Sequence, residues 1–243
     1  MTTMTMARPA QAKLRAAFPS DPADVGALLY SSCLHRDAKW EMSHAERAVL
    51  RALLERIRPR LSIEVGTFRG GSLSLISQYS ESVFSLDIDP TIPERLKGMK
   101  NTQFIIGPSA QSLPALLKGL AEAKMEPEFI LIDADHSEQG VRGDIQSVLA
   151  RPPKVRTFVL MHDSFNPGCR RGMLTAGWEN HPFVHSVEID FVAGSVVDQP
   201  GRPADGQLWG GLAFAVLDPK PRTQPLVIST GAQRTQQRCA AGG

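Results

Sequence analysis

The chain has 243 residues, 42% hydrophobic and 21% charged, an ordinary globular balance that allows one large α/β domain with a real core. Its 27 basic and 25 acidic residues leave a net charge of +2, which gives no reason to expect nucleic acid or an anionic membrane as partner. Cys33, Cys169 and Cys239 lie far apart, with no CxxC pair and no Cys/His spacing, which argues against a disulfide framework and for a reducing compartment.

Residues 1–20 read as a flexible leader with a short amphipathic stretch, "AKLRAAF". They have no apolar core of the signal-peptide kind. No apolar run approaches the ~20 residues of a membrane span. The expectation is a soluble cytoplasmic protein. A helix is predicted at "DPADVGALLYSSCL", and a better signalled one at "SHAERAVLRALLERIRP". There Ser43 and Glu46 fit a capping box, Ala45, Val49, Leu53 and Ile57 recur at helical spacing, and Pro59 ends the run.

Strands and helices then alternate. "RLSIEVG", "SVFSLDID", "TQFIIG", "EFILIDAD" and "VRTFVLMHD" read as strands. The helices between them are "GGSLSLISQYS", "TIPERLKGM", "QSLPALLKGLAEA" and "SEQGVRGDIQSVLA". Such alternation predicts a parallel sheet covered on both faces. "FVHSVEIDFVAG" and "LWGGLAFAVLD" read as an antiparallel pair at the end of the sheet. The expected division is 1–20 leader, 21–220 one catalytic domain with N-terminal capping helices over 21–58, and 221–243 a polar tail.

The first strand ends in "IEVGTFRGGS". Glycines at the first strand-to-helix turn let a ligand approach the backbone. A dinucleotide site calls for GxGxxG, and Phe68 stands where its second glycine falls. Glu64, just before the turn, disfavours a pyrophosphate and suits a ligand with a cationic part. Asp87 ends the second strand, where a carboxylate can accept both ribose hydroxyls.

At these residues the chain resembles the class I S-adenosylmethionine-dependent methyltransferases. Glu64, Gly66 and Gly70 match the first family motif, with Thr67 and Ser72 in the same turn. Asp87 matches the ribose-binding acid, and "IIGPSAQSLPALL" looks like the segment running past the adenine, with Ser109 and Ala110 at its turn. The resemblance implies a Rossmann-like, seven-stranded, mostly parallel sheet with an antiparallel C-terminal strand pair and helices on both faces.

Ligands of open α/β sheets bind at the carboxyl ends of the strands. Asp133, Asp135 and His136 end the fourth predicted strand, and His162 and Asp163 the fifth, so all five share the edge of the glycine turn. "LIDADH" followed by "VLMHDSFNPG" resembles the small-molecule O-methyltransferases related to catechol and caffeoyl-CoA methyltransferases, and more closely a bacterial subgroup found with sugar, macrolide and cephalosporin tailoring enzymes. By that resemblance Asp133 and Asp163 are divalent-metal ligands. The third ligand position holds Ser164 in place of asparagine, which leaves a magnesium requirement open. The base position falls on His136, with His162 as rival; the bland alternative is that His136 caps the next helix or faces solvent. Glu138 and Asp144 read as ordinary helix charges, Arg170 and Arg171 as a solvated loop, and Trp40 and Met42 as core.

The function expected is methyl transfer from S-adenosylmethionine to a hydroxyl of a small molecule. A nicotinamide-dependent oxidoreductase and a non-catalytic cofactor-binding protein are the alternatives. Related enzymes are often homo-oligomers, and the subunit count stays open.

Overall fold

The structure, a computed structural model, describes residues 38–196 and 208–231. The expected leader, the helix at "DPADVGALLYSSCL" and most of the polar segment before "LWGG" lie outside the described residues. Helix α1 (His44–Ile57) opens the described chain. Ser43 Oγ accepts the Glu46 N–H and the Glu46 carboxylate accepts the Ser43 N–H, the reciprocal box expected from the sequence. Arg58, in a left-handed conformation, closes the helix and Pro59 follows.

Strands β1 (Leu61–Val65), β2 (Ser82–Asp87), β3 (Thr102–Ile106), β4 (Phe129–Ile132) and β5 (Thr157–His162) alternate with helices α2 (Gly71–Tyr79), α3 (Ile92–Arg95), α4 (Ser109–Glu122) and α5 (Glu138–Leu149). These five strands are parallel, in the order β5-β4-β1-β2-β3. β1 and β4 are buried at every residue, as central strands covered on both faces must be. Their apolar side chains, among them Ile63, Val65, Ile130 and Ile132, join those of α4 and α5 in the main core.

Helix α6 (Pro167–Leu174) follows β5, and after it come β6 (Val184–Val192), β7 (Ser195–Val196), β8 (Leu208–Trp209), β9 (Leu212–Leu217) and β10 (Ile228–Ser229). β9 runs antiparallel between β5 and β6, and β10 adds a parallel edge next to β6. The sheet thus has eight strands where seven were expected, the extra one drawn from "PLVIS" in the segment read as a tail. The run "LWGGLAFAVLD" is two strands, because Gly210 and Gly211 both adopt positive φ, +71° and +83°, and turn the chain. β8 pairs antiparallel with β7 outside the main sheet.

"NPGCRRGM" forms a helix, not a loop. Asn166 Oδ1 accepts the Gly168 and Cys169 N–H groups, and Pro167 occupies the first turn. Arg170 bonds Asp190 and Arg171 bonds Glu138. "TIPERLKGM" is helical only over Ile92–Arg95. Strand order reverses between β1 and β4: the chain runs outward to β3, then returns to build the other half. That point opens a crevice at the carboxyl ends, where α/β sheets bind ligands.

Candidate active site at the strand-order switch

The glycine turn after β1 is bonded to both neighbouring strands. Gly66 N–H donates to Leu86 O at 2.8 Å, and Asp133 N–H donates to Val65 O at 2.7 Å. Gly66 has φ +93°, and a Cβ there would sit 2.0 Å from Asp133 O. Glycine is therefore required by conformation and by space. The Asp87 carboxylate organises the turn: Oδ2 accepts the Thr67 and Phe68 N–H groups, both at 2.8 Å, and Oδ1 accepts that of Asp89 at 2.9 Å. Thr67 directs its hydroxyl to Ser85. Gly70 caps α2 without a side chain.

Glu64 is fully buried. Ser72 Oγ donates to Oε1 at 2.6 Å, while Oε2 has no hydrogen-bond partner among the described residues. Burial pushes its carboxyl up to about 8, against the Ser72 and Thr67 hydroxyls that favour the anion. Three large apolar side chains lie exposed along the same edge: Phe68 in the turn, Ile88 just after β2 and Ile106 ending β3. Sequence reading passed over them, since an exposed apolar residue gives no periodic signal. Ser109 and Ala110 begin α4, and the Ser109 hydroxyl near Asp144 favours its anion.

Asp144 is not an ordinary helix charge. It is 2% exposed, its Oδ2 has no hydrogen-bond partner among the described residues, and burial pushes its carboxyl up to about 6. Glu138 is one, exchanging ion pairs with Arg142 and Arg171. Ser137 caps α5 through the Gly140 N–H at 3.0 Å, so the cap is not His136. Asp135 accepts the Ser137 N–H and stands apart from the acids below.

Asp133, His136 and Asp163 converge, with candidate ligand atoms all within 4.8 Å of one another. His136 Nε2 lies 3.5 Å from Asp133 Oδ1 and 3.2 Å from Asp163 Oδ2. His162 Nδ1 lies 3.1 and 3.3 Å from the same two oxygens. Two imidazoles thus bridge two carboxylates in a four-membered array. Asp163 holds its place through a left-handed backbone (φ 57°) and the Gly210 N–H, which donates to Oδ1 at 2.6 Å. Ser164 is fully buried beside Gly211, its hydroxyl without a hydrogen-bond partner among the described residues.

The two histidines differ in exposure. His162 is 10% exposed at its side chain, with Nε2 3.4 Å from Glu46 Oε1. Burial works against its charge, but Asp133, Asp163 and Glu46 outweigh that and raise its pKa well above the usual value. His136 is 42% exposed and faces the edge of Trp209, ring centroids 5.4 Å apart. Its bond to Asp133 raises its pKa against the opposing effect of burial. Burial alone would raise Asp163; His162, Gly210 N–H and His136 bring it below the usual range. Glu46 was legible only as a helix cap; its arrival here from α1 had no sequence signal.

No family model matches the sequence, and no curated protein matches it. Among solved structures, TomG from Streptomyces achromogenes is an O-methyltransferase involved in tomaymycin synthesis, solved in complex with SAM. It is similar at TM-score 0.54 and 14% identity, over 86% of this chain and 95% of that one. Rv0187 from MTB, solved cofactor-bound, gives 0.51 at 19% identity over 89% and 100%. An O-methyltransferase from Bacillus cereus in complex with SAH gives 0.50 at 17% over 85% and 96%. Together with the strand order, these likenesses establish that the chain has the Rossmann-like α/β fold these proteins share.

Proposed function

We propose that the protein transfers the methyl group of S-adenosylmethionine to a hydroxyl oxygen of a small molecule, within residues 21–220. One observation carries the reading. The glycine turn that fits a cationic nucleoside and the carboxylate–imidazole array share one crevice edge, touching where Gly66 meets Asp133. The residues present fit the cofactor. Glu64 offers a buried oxygen without a hydrogen-bond partner among the described residues, beside a turn that only glycine can make, and a positive centre is what such a carboxylate lacks. Asp87 retains acceptor capacity for ribose hydroxyls, and Phe68, Ile88 and Ile106 offer an apolar surface to a flat base, with Ser109 and Ala110 at its edge.

S-adenosylmethionine supplies a methyl carbon on a sulfonium, so the acceptor oxygen forms the new C–O bond as the C–S bond breaks and its electron pair stays on sulfur. The chain must hold the acceptor oxygen in line and take its proton. His136, partly exposed, keeps its Nε2 side against Asp133 and Asp163 and receives that proton at Nδ1, the ring nitrogen that does not face the acids, and the two carboxylates stabilise the imidazolium formed. His162 is enclosed by three carboxylates, which suits it to orient them and not to exchange protons with substrate.

The two carboxylates also suit a divalent ion. Asp133 and Asp163 would be its hard ligands, and the Ser164 hydroxyl, without a hydrogen-bond partner among the described residues, would be the neutral third position that the resemblance implies. Such an ion would lower the acceptor hydroxyl's pKa. His136 as a further ligand would favour a softer ion than magnesium. An array of hydroxylated sugars, phenols and macrolides, read by product mass, tests the reading. His136→Ala is expected to lower kcat by ~10²–10⁴-fold, as loss of a general base does. Unimpaired turnover of that variant removes His136 from the role, and equal activity with and without chelator removes the ion.

A further inference from the structure

We infer that Glu46, delivered by α1 from outside the sheet, is a positioning residue for the transfer reaction, holding His162 together with the clamp formed by Gly210 and Gly211. The inference rests on the reading of the site given under Proposed function. A capping box uses one oxygen of the acid in the first helical turn. Glu46 Oε2 serves that purpose, accepting the Ser43 N–H. Its other oxygen points inward, accepts the Gly211 N–H and lies 3.4 Å from His162 Nε2. The whole residue is 2% exposed.

The glycine pair reads out two acids at once. Gly210 N–H bonds Asp163 Oδ1, and Gly211 N–H, one residue on, bonds Glu46. Positive φ at both positions lets consecutive N–H groups face the two carboxylates. Space demands glycine as well. A Cβ on Gly210 would lie 2.8 Å from Glu46 Oε1, and one on Gly211 2.6 Å from the Phe165 ring. Glu46 therefore lies against the Nε2 side of His162 as a charge partner at ion-pair distance, with no hydrogen bond between them, while the Nδ1 side touches Asp133 and Asp163. Removing Glu46 frees the imidazole to rotate, and with it the two oxygens on which His136 rests. Groups that orient a reacting residue through a hydrogen-bond partner commonly cost 10–100-fold in activity when changed.

A purely structural role for Glu46 predicts something else. Capping would then be its whole contribution, and Ser43→Ala, which breaks the other half of the box, would mimic its loss. Steady-state kinetics and thermal melts of Ser43→Ala, Glu46→Gln and Glu46→Ala, with ring-¹⁵N NMR of His162 in the unliganded protein, separate the two. The expected result is a roughly 10–100-fold fall in kcat for both Glu46 variants, with KM for S-adenosylmethionine within about twofold of the parent. The His162 nitrogens should shift in Glu46→Gln, while Ser43→Ala lowers the melting temperature and keeps kcat and the His162 signals. Parental kcat in Glu46→Gln, or an equal kcat loss in Ser43→Ala at equal melting temperature, overturns the inference alone. A parent that transfers no methyl group to any acceptor overturns the functional reading, and this inference with it.

Discussion

Glu64→Gln tests the electrostatics of the cofactor turn. Glu64 is enclosed, with Ser72 on one oxygen and no hydrogen-bond partner on the other among the described residues, and burial lifts its carboxyl from 4.5 to about 8. At about 1.4 kcal/mol per pH unit, that gap comes to about 5 kcal/mol. The folded pKa is raised, so the stability from a neutral Glu64 is complete below pH 4.5. It declines as pH rises and is gone above about 8. Glutamine carries no such slope and still accepts the Ser72 hydroxyl. Urea unfolding should therefore find the variant close to the parent near pH 4, and more stable by about 5 kcal/mol near pH 9. A cation bound at the turn reverses the burial effect and expels the proton. Calorimetry at pH 7, in buffers of different ionisation enthalpy, should show proton release with S-adenosylmethionine, less with its demethylated product, whose sulfur is neutral, and none in Glu64→Gln. A variant-minus-parent stability that stays flat from pH 4 to 9 refutes the reasoning, as does equal proton release with the two ligands.

Asp144→Asn should stabilise the protein at pH 7.5 by up to about 3 kcal/mol and change nothing below pH 4, in paired denaturant melts. The sign follows from a carboxyl raised from 3.8 to about 6, whose neutral form loses its advantage as pH climbs through that window. Gly66→Ala places a methyl group 2.0 Å from Asp133 O at φ +93°; it should cost about 3 kcal/mol, visible as a lowered melting temperature, and abolish cofactor binding by calorimetry. Wild-type stability in that variant would mean the turn tolerates a different path.

Much of the frame was legible because its signals are local or periodic. Buried strands alternating with helices gave the parallel sheet, and "IEVGTFRGGS" with Asp87 located the crevice. Ser43 and Glu46 fixed the start of α1, yet the same Glu46 hid its second role, since a contact with His162 spans 116 residues and leaves no trace in spacing. Other misses did carry a signal. Val141, Asp144, Ile145 and Val148 share one helical face, so the apolar neighbours already placed Asp144 inside. Asn166-Pro167 is a helix start, and Gly210-Gly211 a turn within an apolar run. The edge strand Ile228–Ser229 was missed because two residues pairing with β6 show no alternation.

The central claim meets its most direct test in one experiment: the protein, S-adenosylmethionine labelled with ¹³C at the methyl group, NAD in a parallel arm, and a panel of hydroxylated acceptors, read by mass spectrometry. The account predicts saturable binding of S-adenosylmethionine and the labelled methyl group on an acceptor oxygen, lost in His136→Ala. Binding of NAD without S-adenosylmethionine, or a bound cofactor whose label reaches no acceptor, would contradict it.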